Sequence, residues 1–207
     1  MNIDYTKLIS RNNPNILDVG AYNGNDSLMF AKQYPKGKIF SFEADPDVCA
    51  IFENNIKLHD ISDNIYLVKK AISDTDGTLI FNQALNYDEK ETGSSGTFLK
   101  PTIHLSRYPH VSFQPLEVES IRLDSWFETQ DIDYIDFMWT DVNGAEVSLL
   151  RGGQKTLKHT KYLQLECVSY SLWEGQPAKN ELLELIPNFE IIDEDGVDML
   201  LKNKNIK

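Results

Sequence analysis

The chain has 207 residues, of which 41% are hydrophobic and 11% aromatic, enough to bury the core of one domain of ordinary size. Its formal net charge is −12, from 32 acidic and 20 basic residues. An acidic chain is repelled by the phosphates of nucleic acid unless it carries a dense basic face, and the densest basic stretch here, 100–110, is modest. The composition therefore predicts a single domain, 1–207, that does not act on nucleic acid.

The sequence lacks the marks of an exported or membrane-inserted chain. Residues 1–7 have no basic region followed by an apolar run, and no apolar stretch approaches the ~20 residues that span a bilayer. Cys49 and Cys167 are far apart, with no spacing typical of metal ligands, and are expected to be reduced. We therefore expect a soluble, cytoplasmic protein without membrane insertion; the pattern gives no indication of its oligomeric state.

Short apolar runs alternate with amphipathic stretches, which predicts a βαβ architecture. Helices are expected at 25–34, after Asp45 as N-cap, after Asp124 as N-cap and at 178–185. The turns at 74–77 and 194–196 are typical of hairpins. The predicted strands are 15–20, 38–43, 64–69, 78–81, 116–123, 134–140, 162–168, 189–193 and 197–201. This order predicts an α/β, Rossmann-like sheet, mostly parallel, with a C-terminal antiparallel hairpin.

Residues of about 84–116 interrupt this alternation. The stretch contains Gly93-Ser94-Ser95-Gly96, holds three of the chain's eight prolines, and shows no apolar periodicity. A long irregular insert in a compact α/β domain is usually either a functional lid or a mobile loop. We expect an irregular insert here.

A glycine turn, Asp18 to Gly24, lies between the first predicted strand and the helix that follows it. Ligands bind α/β sheets at such strand ends, and Glu43 at the end of the second strand can accept the hydroxyls of an adenosine ribose. A dinucleotide site needs a second glycine that makes room for a pyrophosphate, and Tyr22 stands in that place. The turn therefore favours S-adenosylmethionine, a cofactor without phosphates, over NAD.

Several acidic and imidazole side chains are candidates for the chemistry. Asp141 ends a central strand, where it can act as a general base or bind the cationic methionine end of the cofactor. Glu146 and Glu166 are expected near the same rim, although a carboxylate in the first turn of a helix, as at Glu146, is favoured by the helix dipole in any case. His104, like His110, is either a base carried by a lid or a solvated loop side chain. Asp141, Glu166 and a lid histidine could together bind a divalent metal, which no spacing compels.

Three aromatic residues, Trp139, Tyr170 and Trp173, can form a stacking wall for a sugar. Because side chains alternate along a strand between core and rim, Trp139 is more consistent with a core position. Tyr170 and Trp173 follow a strand end and are the better candidates for substrate contact.

A set of ordered motifs gives the chain a resemblance to the FkbM family of methyltransferases, from about residue 15 to residue 192. The motifs are Val19-Gly20-Ala21-Tyr22-Asn23-Gly24, Phe42-Glu43-Ala44-Asp45-Pro46, Ile121-Arg122-Leu123-Asp124, Asp141-Val142-Asn143-Gly144-Ala145-Glu146, Leu150-Arg151-Gly152 and Leu165-Glu166. Many members of the family have Lys and Glu where this chain has Trp139 and Asn143, so no catalytic role of that pair is carried over.

The resemblance implies a class I methyltransferase fold with a seven-stranded sheet, S-adenosylmethionine as donor, and O-methylation of a hydroxyl on a sugar, a glycan or a polyketide-like small molecule. Ser94 and Ser95 match a serine-containing stretch of the family and are either cofactor or substrate contacts or a flexible linker. The residues expected to contact the cofactor are Asp18, Gly20, Ala21, Tyr22, Asn23, Gly24, Glu43, Ala44, Ala71, Ser95 and Asp141; those expected in catalysis are Asp141, Glu166 and His104.

Two alternatives from other classes stay open at this point. One is an NAD-type Rossmann oxidoreductase, which Tyr22 and the terminal hairpin disfavour. The other is a non-catalytic cofactor-binding interaction module, which the departures at Trp139 and Asn143 allow.

Overall fold

The structure of the chain, a computed structural model, describes residues 3–59, 63–86, 94–168 and 170–207. The strands are β1 (Asn15–Val19), β2 (Lys38–Phe42), β3 (Ile65–Val68), β4 (Ala71–Ser73), β5 (Gly77–Asn86), β6 (Val111–Arg122), β7 (Ile135–Thr140), β8 (Thr160–Glu166), β9 (Phe189–Glu194) and β10 (Asp198–Asn203). The helices are α1 (Tyr5–Leu8), α2 (Asn25–Gln33), α3 (Pro46–His59), α4 (Thr102–Arg107), α5 (Leu123–Glu128), α6 (Glu146–Gly152) and α7 (Lys179–Leu185), with a 3₁₀ turn at Thr156–His159.

Seven strands form the main sheet, in the order β3-β2-β1-β7-β8-β10-β9. The first five are parallel, and β10 pairs antiparallel with both β8 and β9. The predicted fold class and the C-terminal hairpin are therefore confirmed. The strand order reverses between β1 and β7, and a crevice for ligands opens at the carboxyl ends of strands on either side of such a reversal.

The central strand β1 is buried along its whole length, and its successive side chains point to opposite faces of the sheet, so both faces are covered there. On β1, Leu17 packs in a cluster with the apolar residues of α5, α6 and α7, whereas Ile16 packs with Phe30 of α2 on the other face. Tyr5 of α1 lies against that second cluster, with its ring centroid 5.1 Å from that of Phe30. The two apolar layers fix the strands rigidly, and with them the loops that leave their carboxyl ends.

A second sheet of three strands has the order β4-β6-β5, which corrects one predicted hairpin. The turn at 74–77 leads from β4 into β5, yet the two strands lie on opposite sides of β6, parallel and antiparallel to it. The carboxylate of Asp76 in this turn accepts hydrogen bonds from the Arg122 N–H (2.8 Å) and the Ser125 hydroxyl (2.7 Å). Those long-range bonds turn the chain around the end of β6, so that the two strands do not pair.

The predicted role of Asp124 is also corrected. Helix α5 begins at Leu123, so that Asp124 lies inside its first turn and does not cap it. Its carboxylate accepts the backbone N–H groups of Lys155 (3.0 Å) and Thr156 (2.8 Å), which fixes the start of the 3₁₀ turn. Asp45, by contrast, accepts the N–H of Asp47 at the start of α3, as expected of an N-cap.

The interval 84–116, expected to be irregular, contains regular structure at both ends and a short helix. Strand β5 continues to Asn86, β6 starts at Val111, and α4 lies between them; 87–93, which include Gly93, are outside the described residues. Pro115 is tolerated in β6 because β4 covers only Ser120–Arg122, which leaves the proline at an open strand edge. Apolar periodicity fails here because the two strands form a small sheet with exposed faces. Within the described ranges, no helix is both long and apolar enough to cross a membrane.

Candidate active site

A cavity of about 550 Å³ opens at the carboxyl ends of β1, β2 and β7. The turn after β1 forms its floor, Glu43 lies at the end of β2, and Asp141 follows β7. Residues Ser94 and 96–98 close it from the side of the small sheet. The Thr97 hydroxyl donates to the Asn143 carbonyl (2.9 Å), and the Asn143 side-chain amide donates to the Ser94 carbonyl (3.2 Å), which ties this segment to the end of β7.

The glycine turn forms the floor of the cavity because its backbone adopts positive φ angles, which residues with a side chain disfavour. Gly20 has φ +85°, and a Cβ at this position would lie 1.8 Å from the carbonyl oxygen of Asp141. Tyr22 has a positive φ of 47°, and its N–H donates to Glu43. Gly24 has φ +83° and packs on the ring of Phe52, outside the cavity lining. The turn thus passes close to the backbone after β7 and brings Gly20 to Asn23 to the cavity.

Glu43 is held by three backbone N–H groups. Its Oε1 accepts those of Ala44 and Asp45, each at 2.8 Å, and its Oε2 accepts that of Tyr22 at 2.9 Å. Burial raises the pKa of the Glu43 carboxyl to about 7, against the lowering effect of these bonds. Since a carboxylate has roughly four acceptor positions, Oε2 retains one for a ligand hydroxyl.

Asp18 lies under the turn and not in the cavity. It is buried, its carboxylate accepts the Ser27 hydroxyl, and Ser27 in turn bonds Ser41 at 2.6 Å. Burial raises the pKa of Asp18 to about 7, and the Ser27 bond opposes that rise. This position indicates that Asp18 supports the turn from below. The direct cofactor contact expected of Asp18 is not indicated by it.

Further carboxylates surround the end of β7. Burial raises the pKa of Asp141 to about 6, that of Glu146 to about 7 and that of Glu166 to about 8. The negative charge of Asp198 adds to the effect at Asp141, and that of Asp141 adds to it at Glu146 and Glu166. Asp141 lines the cavity, whereas Glu146 and Glu166 lie outside its lining. Glu146 accepts the Gly144 N–H at 3.2 Å in the first turn of α6, which agrees with a capping role.

His104 is not carried into the cavity by a lid. It is buried in α4 and stacks on the indole of Trp173, with ring centroids 4.8 Å apart and planes 20° apart. Its Nδ1 has no hydrogen-bond partner among the described residues. Over the same ranges, no group of three or more His, Cys, Asp or Glu side chains is arranged to hold a metal ion. The set of Asp141, Glu166 and a lid histidine is therefore not assembled.

Of the three aromatic candidates, Trp139 alone lines the cavity. Trp173 is only 2% exposed and packs against Gly144 and His104, so it belongs to the core. Tyr170 is exposed, with the Arg107 guanidinium 4.5 Å from its ring centroid. Trp139 is half-buried: it packs against the rings of Tyr5 and Phe30 (6.3 and 6.4 Å between centroids) and also contributes to the cavity wall.

Several lining residues were not anticipated from the sequence. Asp26, in the first turn of α2, has the appearance of an ordinary helix-start acid, and Lys70, Thr97 and Phe98 belong to no motif. Of the expected contacts, Gly20, Ala21, Tyr22, Asn23, Glu43, Ala44, Ala71 and Asp141 line the cavity; Asp18, Gly24 and Ser95 do not, and Ser94 takes the place of Ser95. Asp26, Lys70, Thr97 and Phe98 are brought to the site only by the long-range packing of the folded chain.

A ligand cavity at the strand-order reversal of a seven-stranded sheet with a terminal antiparallel hairpin defines the class I methyltransferase architecture. The model of the methyltransferase FkbM domain matches residues 18–192, most of the chain. The chain belongs to the FkbM family of S-adenosylmethionine-dependent methyltransferases. The resemblance deduced from the motifs is confirmed.

Relatives and solved structures agree. The chain is 36% identical over 205 residues to the 2-O-methyltransferase NoeI of Sinorhizobium fredii (strain NBRC 101917 / NGR234), covering 96% of this chain and 83% of the relative. It resembles the crystal structure of methyltransferase FkbM from Methylobacillus flagellatus KT (TM-score 0.56, 14% identity, 93% of this chain), spanning 44% of that chain. A putative O-methyltransferase from Klebsiella pneumoniae gives TM-score 0.56 at 13% identity, over 96% of this chain and 76% of that one. None of these matches supports an NAD-dependent oxidoreductase.

Substitution of Gly20 tests whether the turn needs a residue without a side chain. Gly20→Ala would incur both a strained φ and a clash with the Asp141 carbonyl, so we expect it to lower the free energy of unfolding by more than ~3 kcal/mol. Gly196→Ala is the matched control: its φ is +88°, but nothing lies within 4 Å of an added Cβ, and we expect a loss of only ~1 kcal/mol. Urea denaturation measures both, and equal losses would contradict the close approach at Gly20.

The buried Asp18 predicts a pH dependence of stability. Its folded pKa of about 7 lies above the ordinary aspartic acid pKa of 3.8, so the folded state binds the extra proton, and stability falls as pH rises from about 4 to about 7. Asp18→Asn keeps an acceptor for the Ser27 hydroxyl and removes this pH-dependent loss of stability, which amounts to up to ~4 kcal/mol. We expect the melting temperature of the variant, relative to the unmodified chain, to be higher at pH 8 than at pH 5. A difference that does not change with pH would refute the assignment.

Proposed function

We propose that the chain transfers a methyl group from S-adenosylmethionine to a hydroxyl group of a sugar or glycan. The observation that carries this proposal is that one cavity has Glu43, with a free acceptor position, at one end, and Asp141 beside the half-buried Trp139 at the other. A nucleoside hydroxyl, a cationic group and a sugar ring thus each have a complementary protein group within a single space.

The residues present fit the adenosyl cofactor. Glu43 Oε2 would accept a ribose hydroxyl, the turn from Gly20 to Asn23 would pass beneath the ligand, and Asp141 would attract its positive end. Lys70 is the cation among the described lining residues, and its ammonium already pairs with Glu119 at 2.7 Å. Among the described lining residues, a pyrophosphate would therefore find no uncommitted positive charge, which supports the adenosyl cofactor over NAD. When bound, the cofactor supplies an activated methyl group.

Trp139 supports a sugar acceptor. Its indole is held from behind by Tyr5 and Phe30, so it can present a fixed apolar surface to the cavity. The apolar face of a pyranose ring stacks favourably on such a surface, and hydroxyls around the ring reach polar groups at its edge. The name of the relative NoeI, a 2-O-methyltransferase, supports oxygen as the atom that is methylated.

The acceptor hydroxyl must lose its proton, and the protein has to receive it. Glu166 and His104, expected in catalysis from the sequence, lie outside the cavity lining, whereas Asp26 and Asp141 lie in it. The proton acceptor is therefore one of these two carboxylates.

Methyl transfer to a panel of neutral glycosides tests the acceptor class, with RNA as the comparison substrate. The same assays run with and without EDTA test metal dependence. Methylation of RNA alone would refute the proposal.

Glu43→Gln tests the ribose assignment. The variant replaces one acceptor oxygen by an NH₂ group that opposes the N–H donors, so we expect the affinity for S-adenosylhomocysteine to fall at least ~10-fold, or ~1.4 kcal/mol, by calorimetry. Glu190→Gln, an exposed change on β9, should leave the affinity unaltered. Unchanged binding by the Glu43 variant, or thermal stabilisation of the unmodified chain by NAD alone, would overturn the cofactor assignment.

Trp139→Ala tests the sugar platform. Loss of the stacking surface should raise the KM for the glycan acceptor ~10-fold while the affinity for S-adenosylhomocysteine changes little. Trp139→Phe, which keeps an aromatic face, should recover part of that loss, and Tyr170→Ala, outside the cavity, should have no effect on KM. An equal KM for the Trp139→Ala variant and the unmodified chain would count against the platform.

A further inference from the structure

Asp26 is the second residue of α2, two positions after Gly24, and its side chain lines the cavity together with Trp139 and Asp141. No motif points to it. A carboxylate in the first turn of a helix is ordinarily explained by the helix dipole, which favours negative charge there. That explanation suits a solvated side chain, whereas Asp26 is partly buried at the wall of the cavity.

Asp26 differs from the other two carboxylates of the lining in its partners. Glu43 accepts three backbone N–H groups, and Asp141 accepts a backbone N–H from Asn143. Among the described residues, no hydrogen-bond donor and no cation acts on the carboxylate of Asp26. Burial alone raises the pKa of Asp26, which makes its ionised form a stronger base.

Within the described ranges, no positive charge lowers the pKa of Asp26. Its negative charge contributes to the raised pKa values of Asp18, Asp141 and the Tyr5 hydroxyl, so these groups lie close enough to interact with it. Lys70, which also lines the cavity, is paired with Glu119. A half-buried carboxylate without a donor is costly to retain, and such groups cluster where a ligand supplies the missing partner.

The two lining carboxylates beside Trp139 face two demands: the ammonium cation at the methionine end of the cofactor and the proton of the acceptor. Asp141 is oriented by the Asn143 N–H, which suits a fixed ionic contact. Among the described residues, none donates to the Asp26 carboxylate, which lines the same cavity as the proposed sugar platform. A hydroxyl of a sugar stacked on Trp139 can donate to it without displacing a protein donor.

We propose that Asp26 is the general base, which receives the proton of the acceptor hydroxyl while Asp141 holds the cationic end of the cofactor. This inference rests on the proposed function. As the acceptor oxygen forms its bond to the methyl carbon, the carbon–sulfur bond breaks with its electron pair on sulfur, and the hydroxyl proton passes to the Asp26 carboxylate and then to water. The products are a methyl ether, a neutral thioether and a released proton, so atoms and charge balance.

The test compares Asp26→Asn with Asp141→Asn, because both substitutions keep the size of the side chain and remove its basicity. For Asp26→Asn we expect kcat with a neutral glycoside to fall 10²- to 10⁴-fold, the usual contribution of a general base, while calorimetric affinity for S-adenosylhomocysteine changes less than ~3-fold. For Asp141→Asn we expect that affinity to fall ~10-fold or more. Asp47→Asn is the matched control: Asp47 is the second residue of α3, and its variant should match the unmodified chain in both measurements.

The outcomes distinguish a failure of the proposed function from a failure of the general-base assignment. If the unmodified chain methylates no hydroxyl acceptor, the proposed function fails, and the role of Asp26 fails with it. If the unmodified chain is active and Asp26→Asn retains kcat within ~3-fold, the general-base assignment alone is overturned. Loss of S-adenosylhomocysteine affinity in Asp26→Asn equal to that in Asp141→Asn would make Asp26 a cofactor ligand and would also overturn it.

Discussion

The site depends on the close approach of two backbones at the strand-order reversal. The Asp141 N–H donates to the Val19 carbonyl at 2.9 Å, and the next residue, Gly20, passes so near the Asp141 carbonyl that no Cβ fits between them. On its other side the turn is bonded to β2, since the N–H groups of Gly20 and Ala21 both donate to the Phe42 carbonyl. The turn is thereby fixed between β2 and β7. The residues that follow those strands, Glu43 and Asp141, are thereby both brought to the cavity at this turn.

The electrostatics of the cavity follow from that geometry. Its lining contributes three carboxylates, Asp26, Glu43 and Asp141, and each is removed from water enough that its pKa is raised. Desolvated negative charge favours a ligand that brings hydroxyl donors and positive charge, and it opposes one that brings phosphates. A sulfonium cofactor with an unphosphorylated ribose meets both conditions. The cavity therefore selects its cofactor by charge as well as by shape.

Much of the fold and part of the site could be predicted from the local sequence. The parallel strands could be predicted because their residues are buried on both faces, and the terminal hairpin because its turn residues are distinctive. Glu43 and Asp141 were accessible because the end of a parallel strand has a known position relative to a ligand. The hairpin predicted at 74–77 was wrong because partner choice between β4, β5 and β6 is decided by contacts more than forty residues away, such as Asp76 with Arg122. Asp26 was missed because its sequence context is that of any helix start; only the placement of α2 beside β7 brings it to Trp139.

The most direct test of the central claim is a crystal structure of the chain with S-adenosylhomocysteine. We expect the adenosyl group in the cavity at the ends of β1, β2 and β7, with a ribose hydroxyl within hydrogen-bond distance of Glu43 Oε2 and the sulfur directed towards the wall formed by Asp26, Trp139 and Asp141. A ligand bound outside this cavity, or with its ribose away from Glu43, would contradict the account.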